Sequence, residues 1–319
     1  MTAPLFVSSG DLIADRRYQW ALAHAARGDL AGAADILVQT VERAPGFATA
    51  WFALGAVRDN LGDRAGAIMA FAKARDSDPE DYHGARLQLA RLGAGAVTPN
   101  MTASYVRRLF DQHAPHFDVA LLEHLGYRGP ALLIDAIERV AGRPLRIGSM
   151  LDLGCGTGLA GATFRPHVDW LVGVDLSPGM IAEARAKGLY DRLATCDLSE
   201  FLAGEAQSAA HYHVVLAADV FVYLCDLFPV ATAVAGVLAP GGLFAFTLEA
   251  HAGAGVVLLP TLRYAHGADH VCAALDAAGF KIAHLAAASS RREKGVPVDG
   301  LVVVAANPAP LSPPGRPSL

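Results

Sequence analysis

The sequence predicts two bodies. An all-α repeat domain comes first, and behind it a doubly wound α/β domain on a mostly parallel, seven-stranded sheet. Three observations predict this. The first hundred or so residues repeat at a fixed offset. From Ile147 onward, short apolar runs alternate with helical patterns, as a parallel sheet with crossover helices requires. And the first of those runs ends in an acid and a glycine-rich turn, Asp152-Leu-Gly154-Cys-Gly156-Thr-Gly158.

The repeat is read from matched pairs. Gly28-Asp29 returns as Gly62-Asp63, Ala33 as Ala67, and Ala44-Pro45 as Asp78-Pro79, each 34 residues on. That is the tetratricopeptide period. In the second unit Trp51, Leu54, Gly55, Ala67, Phe71, Ala74 and Pro79 stand where the consensus of that repeat wants them. The first unit has Arg17 in place of Trp. A third helix is expected around 82–92. Two repeats and a fragment are fewer than a free-standing solenoid needs, so this unit is expected to lean on the rest of the chain or on a protein partner. Leu92–Asn100 reads as a linker, and the Pro-rich stretch from Asn307 as a disordered tail. The expected domains are therefore 1–97, 98–306 and 307–319.

Composition narrows the function. At 53% apolar residues the chain can bury more than one core. A net charge of −5, with basic residues in no larger groups than Arg107-Arg108 and Arg291-Arg292, lacks the basic face a nucleic-acid partner requires. Cys155, Cys196, Cys225 and Cys272 form no C-x-x-C pair, which suggests neither a zinc site nor a disulfide framework and points to a reducing, cytoplasmic setting. Met1–Asp11 lacks the features of a signal peptide. Leu227–Leu248 carries no charge, but Pro229 and Pro240-Gly241-Gly242 divide it into a short helix, a turn and a buried strand rather than a membrane span.

A helix is expected over 103–117, then strands near 149–153, 170–175, 192–197, 213–218, 242–249, 280–287 and 300–305, the last two as an antiparallel hairpin. Gly156–Gly161 also fits the dinucleotide pattern G-x-G-x-x-G. The strand ends at Leu153, however, so the turn begins at Gly154 and the working pattern is D-x-G-x-G-x-G. The second strand ends in Asp175, placed to take both hydroxyls of a ribose. Ser177-Pro178 opens the next helix as cap and first position. The third strand ends in Asp197, placed to accept from an exocyclic amine. Each acid taken alone could be a helix cap or loop residue; it is the series that points to a nucleoside.

Together with the turn Leu238-Ala-Pro240-Gly241-Gly242, these motifs resemble the class I S-adenosylmethionine (SAM)-dependent methyltransferases over about residues 101–306, and more closely the bacterial methyltransferases predicted to carry tetratricopeptide repeats. The resemblance implies a Rossmann-like methyltransferase sheet and SAM as cofactor, without a metal. It implies that Asp152, Gly154, Gly156 and Gly158 hold the methionine part, Asp175 the ribose, and Asp197 with Leu198 the adenine, with Leu176 and Met180 close by. The segment Phe110-Asp-Gln-His113-Ala-Pro-His-Phe117 resembles the lid helix of quinone C-methyltransferases and malonyl-carrier-protein O-methyltransferases.

The acceptor is expected off the carboxyl ends of the strands. Candidate substrate contacts are Tyr105, Phe117, Tyr223, Arg263 and Tyr264; candidate bases are His113, His266 and Asp219. The aromatic and histidine positions read equally well as core or surface residues. Asn/Asp-Pro-Pro-Tyr, common in amino-group methyltransferases, is absent, which favours an oxygen or carbon acceptor, small or carrier-bound. Two other readings stay open. One is a non-catalytic SAM-binding scaffold that works through the repeat domain. The other is an NAD(P)-dependent oxidoreductase, although no tyrosine stands four residues before Lys73, Lys187, Lys281 or Lys294.

Overall fold

The computed structural model describes residues 6–96 and 101–307, so the end of the expected linker and the expected tail beyond Asn307 lie outside the described residues. By contact the chain divides into two units. One runs up to Arg108 and includes Leu258–Leu262; the other takes Leu109–Val257 and the chain from Arg263 on.

The first unit holds α1 (Leu12–Ala26), α2 (Leu30–Arg43), α3 (Ala48–Asn60), α4 (Arg64–Ser77) and α5 (Ala85–Arg91). The 34-residue offset recurs in the helix caps. Asp29 caps α2 by accepting from the Gly32 amide, and Asp63 caps α4 by accepting from the Gly66 amide, both at 2.9 Å. Tyr18, Leu37, Phe47 and Leu54 fill one core between α1, α2 and α3. Phe71 packs with Ala67, Leu89 and Leu92 in a second, with Phe52 at its edge. The helix α6 (Ala103–His113) begins in this unit: Ser104 donates to Glu80, the Tyr105 ring lies over Gly84, and Arg108 stacks on Tyr82. These contacts explain why the division falls after Arg108 and not in the Gly/Pro-rich stretch before it.

α6 also stops earlier than the expected Phe117. Pro115 has no amide to continue the ladder, and the chain tightens into a 3-10 turn over Ala114–His116. It resumes as the single turn α7 (Phe117–Val119) and widens over Ala120–His124.

The second unit continues with α8 (Gly129–Ala141), β1 (Ile147–Leu153), α9 (Leu159–Phe164), β2 (Val168–Asp175), α10 (Pro178–Lys187), β3 (Arg192–Thr195), α11 (Leu198–Gln207), β4 (Tyr212–Ala217), α12 (Phe228–Ala235) and β5 (Leu238–Ala250). It ends with β6 (Val256–Leu258), β7 (Tyr264–His266), α13 (Ala268–Ala277), β8 (Lys281–Ala287), β9 (Arg292–Glu293), β10 (Val296–Pro297) and β11 (Gly300–Ala306). The seven expected strands form the main sheet in the order β3-β2-β1-β4-β5-β11-β8, with β11 antiparallel to both neighbours. The short β7 beside the end of β5, its partner β6, and the ribbon β9–β10 were not expected. β5 also starts earlier than expected: Pro240-Gly241-Gly242 is a slip in its register against β4 rather than a turn before it, and the Gly241 amide bonds the Asn307 carbonyl. Leu227–Leu248 thus forms α12 and β5, and no helix among the described residues is long and apolar enough to cross a membrane.

Both sheet faces are covered. Leu151, Val174, Val215, Phe246 and Val303 meet α11, α12 and α13; Met150, Leu171, Leu216, Ala245 and Val304 meet α8 and α9. This is the period-two alternation of strands buried on both sides. The order reverses between β1 and β4, the switch point at which open α/β sheets leave a crevice beyond the carboxyl ends.

One packing test follows in the first unit. A Cβ on Gly55 would stand 2.7 Å from the Phe71 ring. Gly55→Ala gains about 1 kcal/mol of helix propensity but overpacks a closed crossing at a cost of about 1–3 kcal/mol. The variant is expected to melt at a lower temperature than the parent, read by circular dichroism.

Candidate cofactor and acceptor site

The site is built on the ends of β1, β2 and β3, which are neighbours in the sheet. After Leu153 the chain turns at Gly154 and Gly156 with φ of +66° and +54°, a region side chains rarely enter. A Cβ on Gly154 would also stand 2.6 Å from Val220. Asp175 holds this turn from below. One of its carboxylate oxygens accepts from the Gly156 amide and the other from the Ser177 amide, each at 2.9 Å. Burial raises the Asp175 pKa, and these two hydrogen bonds oppose the rise. Ser177 in turn caps α10 by accepting from the Met180 amide at 3.0 Å, and Met180 is fully buried. Leu176 sits half-buried in the same turn. Asp197 caps α11 through the Ser199 amide and is half-buried beside Leu198. The nine expected cofactor residues therefore cluster at three adjacent strand ends and the turns that leave them.

Asp152 differs from the other two acids. It has no solvent exposure. Its Oδ2 accepts from the Tyr190 hydroxyl at 2.7 Å, while its Oδ1 has no hydrogen-bond partner. Burial pushes its pKa up to about 7; the Tyr190 hydrogen bond pulls it down and the Asp175 charge adds to the rise. A buried acceptor left without a donor is costly unless a ligand completes it. The ammonium group at the amino-acid end of SAM is such a donor, so the residues present fit that cofactor.

The segment after Arg108 is fastened beside this loop at two points that sequence reading missed. Asp111 accepts from the Ser177 hydroxyl and, at 3.1 Å, from the Gly179 amide. Asp118 accepts from the Thr157 hydroxyl and pairs with Lys187 at 2.5 Å. Phe110 packs edge-on against Phe117 and Tyr223, with ring centres 5.9 and 5.3 Å away. The His113 Nδ1 lies 2.6 Å from the Leu109 carbonyl. A carbonyl only accepts, so that nitrogen carries a proton and Nε2 is the ring nitrogen not held by the backbone. Tyr105 is not part of this group; it lies in the first unit.

Beyond β4 and β5 stands a cluster of charges. Asp219 adopts φ +57°. Thr247 donates to one of its oxygens at 2.7 Å, and Ser290 and Arg291 donate to the other at 2.7 and 3.3 Å. Arg291, 5% exposed, also pairs with Glu249, and Arg263 pairs with Glu293. Asp219, Tyr223 and Arg263 are thus brought together, and Asp219 has no idle oxygen. Tyr264 and His266 are buried in β7. The His266 Nε2 bonds the Leu224 carbonyl at 3.0 Å, and burial holds its pKa down to about 4.

The state of Asp152 has a measurable consequence for the ligand-free protein. A carboxyl raised in the folded state contributes most below its unfolded pKa of about 3.9, and that stability is lost as pH rises through about 7. Asp152→Asn removes the charge. It is expected to unfold at higher denaturant than the parent at about pH 8, by roughly 1–3 kcal/mol, and to keep a smaller part of that advantage at about pH 5. Urea melts at the two pH values check this.

Residues 151–244 match the sequence pattern described as "Methyltransferase domain". The human Methyltransferase-like protein 27 is 38% identical over 112 residues, which are 35% of this chain and 44% of that protein, so the match spans less than half the relative's length. Among solved structures, the [4+2]-cyclase SpnF aligns with a TM-score of 0.53 at 18% identity, over 67% of this chain and 98% of that one. The N-methyltransferase NodS of Bradyrhizobium japonicum, in complex with S-adenosyl-L-homocysteine, aligns with a TM-score of 0.48 at 20% identity, over 63% of this chain and 98% of that one. The glycine loop and the acids beside it thus lie within, or at the edge of, the stretch that is similar to methyltransferase domains.

Proposed function

We infer that the whole chain is an enzyme that transfers the methyl group of SAM to an oxygen or carbon atom of a small-molecule or carrier-bound acceptor. The carrying observation is the row Asp152 and Asp175 at the ends of β1 and β2 and Asp197 two residues past β3, with one buried oxygen of Asp152 unshared. When bound, SAM supplies a methyl group on a sulfonium with a neutral thioether leaving. The chain's own work is then to orient the acceptor in line and to exclude water.

Asp175 and the glycine loop fix the nucleoside; Phe110, Phe117 and Tyr223 supply apolar walls. Asp219-Val-Phe-Val after β4, in place of Asn/Asp-Pro-Pro-Tyr, supports an oxygen or carbon acceptor. His113 suits a base better than His266 does, because its ring is half-exposed with Nδ1 anchored on the Leu109 carbonyl, while His266 is sealed in the core. Asp219, with both oxygens engaged, suits a fixed anchor. The oxidoreductase reading loses support at Gly161. A pyrophosphate needs the free amides of that helix start, and the Gly161 amide is taken by Tyr190 at 3.1 Å. The first unit we read as a tetratricopeptide-type module that binds a protein partner. The four free cysteines support a cytoplasmic setting.

Titration calorimetry is expected to give SAM and S-adenosyl-homocysteine binding and no NAD(P) binding. Asp175→Ala removes a charged hydrogen-bond acceptor worth about 1.5–3 kcal/mol, a loss of roughly ten- to a hundred-fold in affinity. NAD(P) binding without SAM binding overturns the assignment, and SAM binding without methyl transfer to any offered acceptor favours the scaffold reading.

His113→Ala is expected to lower turnover by about a hundredfold or more with SAM affinity unchanged. Unchanged turnover per folded molecule, with a lower melting temperature, makes His113 structural.

A further inference from the structure

Tyr190 belongs to no motif. It stands in the turn between α10 and β3, yet its ring reaches under the glycine loop. Three missing side chains make room for it: a Cβ on Gly158, Gly161 or Gly173 would stand 3.1, 2.6 or 2.8 Å from the tyrosine. At its far end the hydroxyl accepts from the Gly161 amide at 3.1 Å and donates to Asp152 Oδ2 at 2.7 Å. The amide occupies the hydroxyl as acceptor, so its one proton is committed to Asp152. Oδ1 of the same carboxylate is buried and unshared. Tyr190 from this turn and Asp175 from the end of β2 act on Asp152, and Asp152 in turn raises Cys155 in the glycine loop and Tyr127 in the segment before α8. Each is an acid or a neutral group, and none is a cation. A cation brought by a ligand would therefore meet an unbalanced carboxylate at Asp152.

We propose that Tyr190 is the positioning residue that holds the Asp152 carboxylate turned so that its free oxygen meets the ammonium group of the cofactor's amino-acid end. The proposal rests on the reading that this site takes SAM. A hydrogen bond donated to a carboxylate favours its charged form, against a burial that otherwise drives the carboxyl toward its neutral form. Cofactor binding is then coupled to pH at Asp152. The nucleoside half of the ligand, held by Asp175 and Asp197, lies outside that coupling.

The test compares two ligands on the full chain. S-Adenosyl-homocysteine carries the ammonium group; methylthioadenosine has the same nucleoside and lacks the amino-acid end. Calorimetry runs from about pH 6 to about pH 9. The parent is expected to bind S-adenosyl-homocysteine more tightly as pH rises through about 7, with methylthioadenosine unaffected. Tyr190→Phe keeps the ring and removes the hydroxyl. It is expected to bind S-adenosyl-homocysteine about tenfold more weakly at neutral pH, to regain affinity at the alkaline end, and to bind methylthioadenosine as the parent does. Equal weakening for both ligands at every pH makes Tyr190 a packing residue and overturns the proposal. So does S-adenosyl-homocysteine affinity that is flat with pH in the parent, a result that stands even if the variant does not fold. If the parent binds neither ligand, the cofactor reading fails, and the role of Tyr190 with it.

Discussion

Asp175 is the tie on which the cofactor end depends. Its two oxygens take one amide from the glycine loop and one from the start of α10. A single carboxylate thereby fixes two turns that belong to different strands. Asp111 seats on the same start of α10, and Asp118 on Thr157 in the loop itself. Carboxylates are suited to this work because backbone amides at a helix start only donate. The cost is electrostatic. Asp111 and Asp175 repel one another, and Asp175 and Asp152 do the same. A ligand that brings both a sulfonium and an ammonium group relieves that repulsion, whereas a dinucleotide with two phosphates worsens it.

The charge cluster beyond β4 and β5 follows the opposite rule. Arg291 is almost fully buried and is shared among Asp219, Glu249 and Glu293, with Arg263 completing the set. Removing one partner of such a group leaves a buried charge unpaired and costs more than the pair contributes. The cluster thus acts as a fixed frame that joins the exits of β4 and β5 to the loop after β8. The left-handed backbone of Asp219 is held in that frame by Thr247 and Ser290.

Much of this was legible in the sequence because its signals are local. β1 to β4 are apolar runs that close on an acid or a turn, and the acids at Asp152, Asp175 and Asp197 mark the strand ends directly. The caps at Asp29 and Asp63 repeat with the helices they start. What escaped is set by distant contacts. β7 has three residues, shorter than any periodicity window. Arg291 and Arg292 look alike in sequence and part in the fold: the first is buried because Glu249 and Asp219 reach it, and the second stays exposed. Pro115 was visible, but a proline is tolerated in the first turn of a helix. The break it makes after His113 therefore had to be told from a new start. Tyr190 carried no local signal at all, since its meaning lies in three glycines drawn from two other elements.

That last arrangement has a consequence for how the chain can vary. Gly158, Gly161 and Gly173 lack side chains at the places the Tyr190 ring occupies, so the four positions form one unit of inheritance. While the ring is present, any side chain larger than hydrogen at Gly161 or Gly173 collides with it. Once the ring is lost, Gly161 is free to accept alanine, while Gly173 still faces Leu193, and an alanine at Gly161 then bars the tyrosine from returning. The path is a ratchet: a lineage that gives up Tyr190 can refill the space cheaply, and by doing so closes off the hydroxyl that reached Asp152.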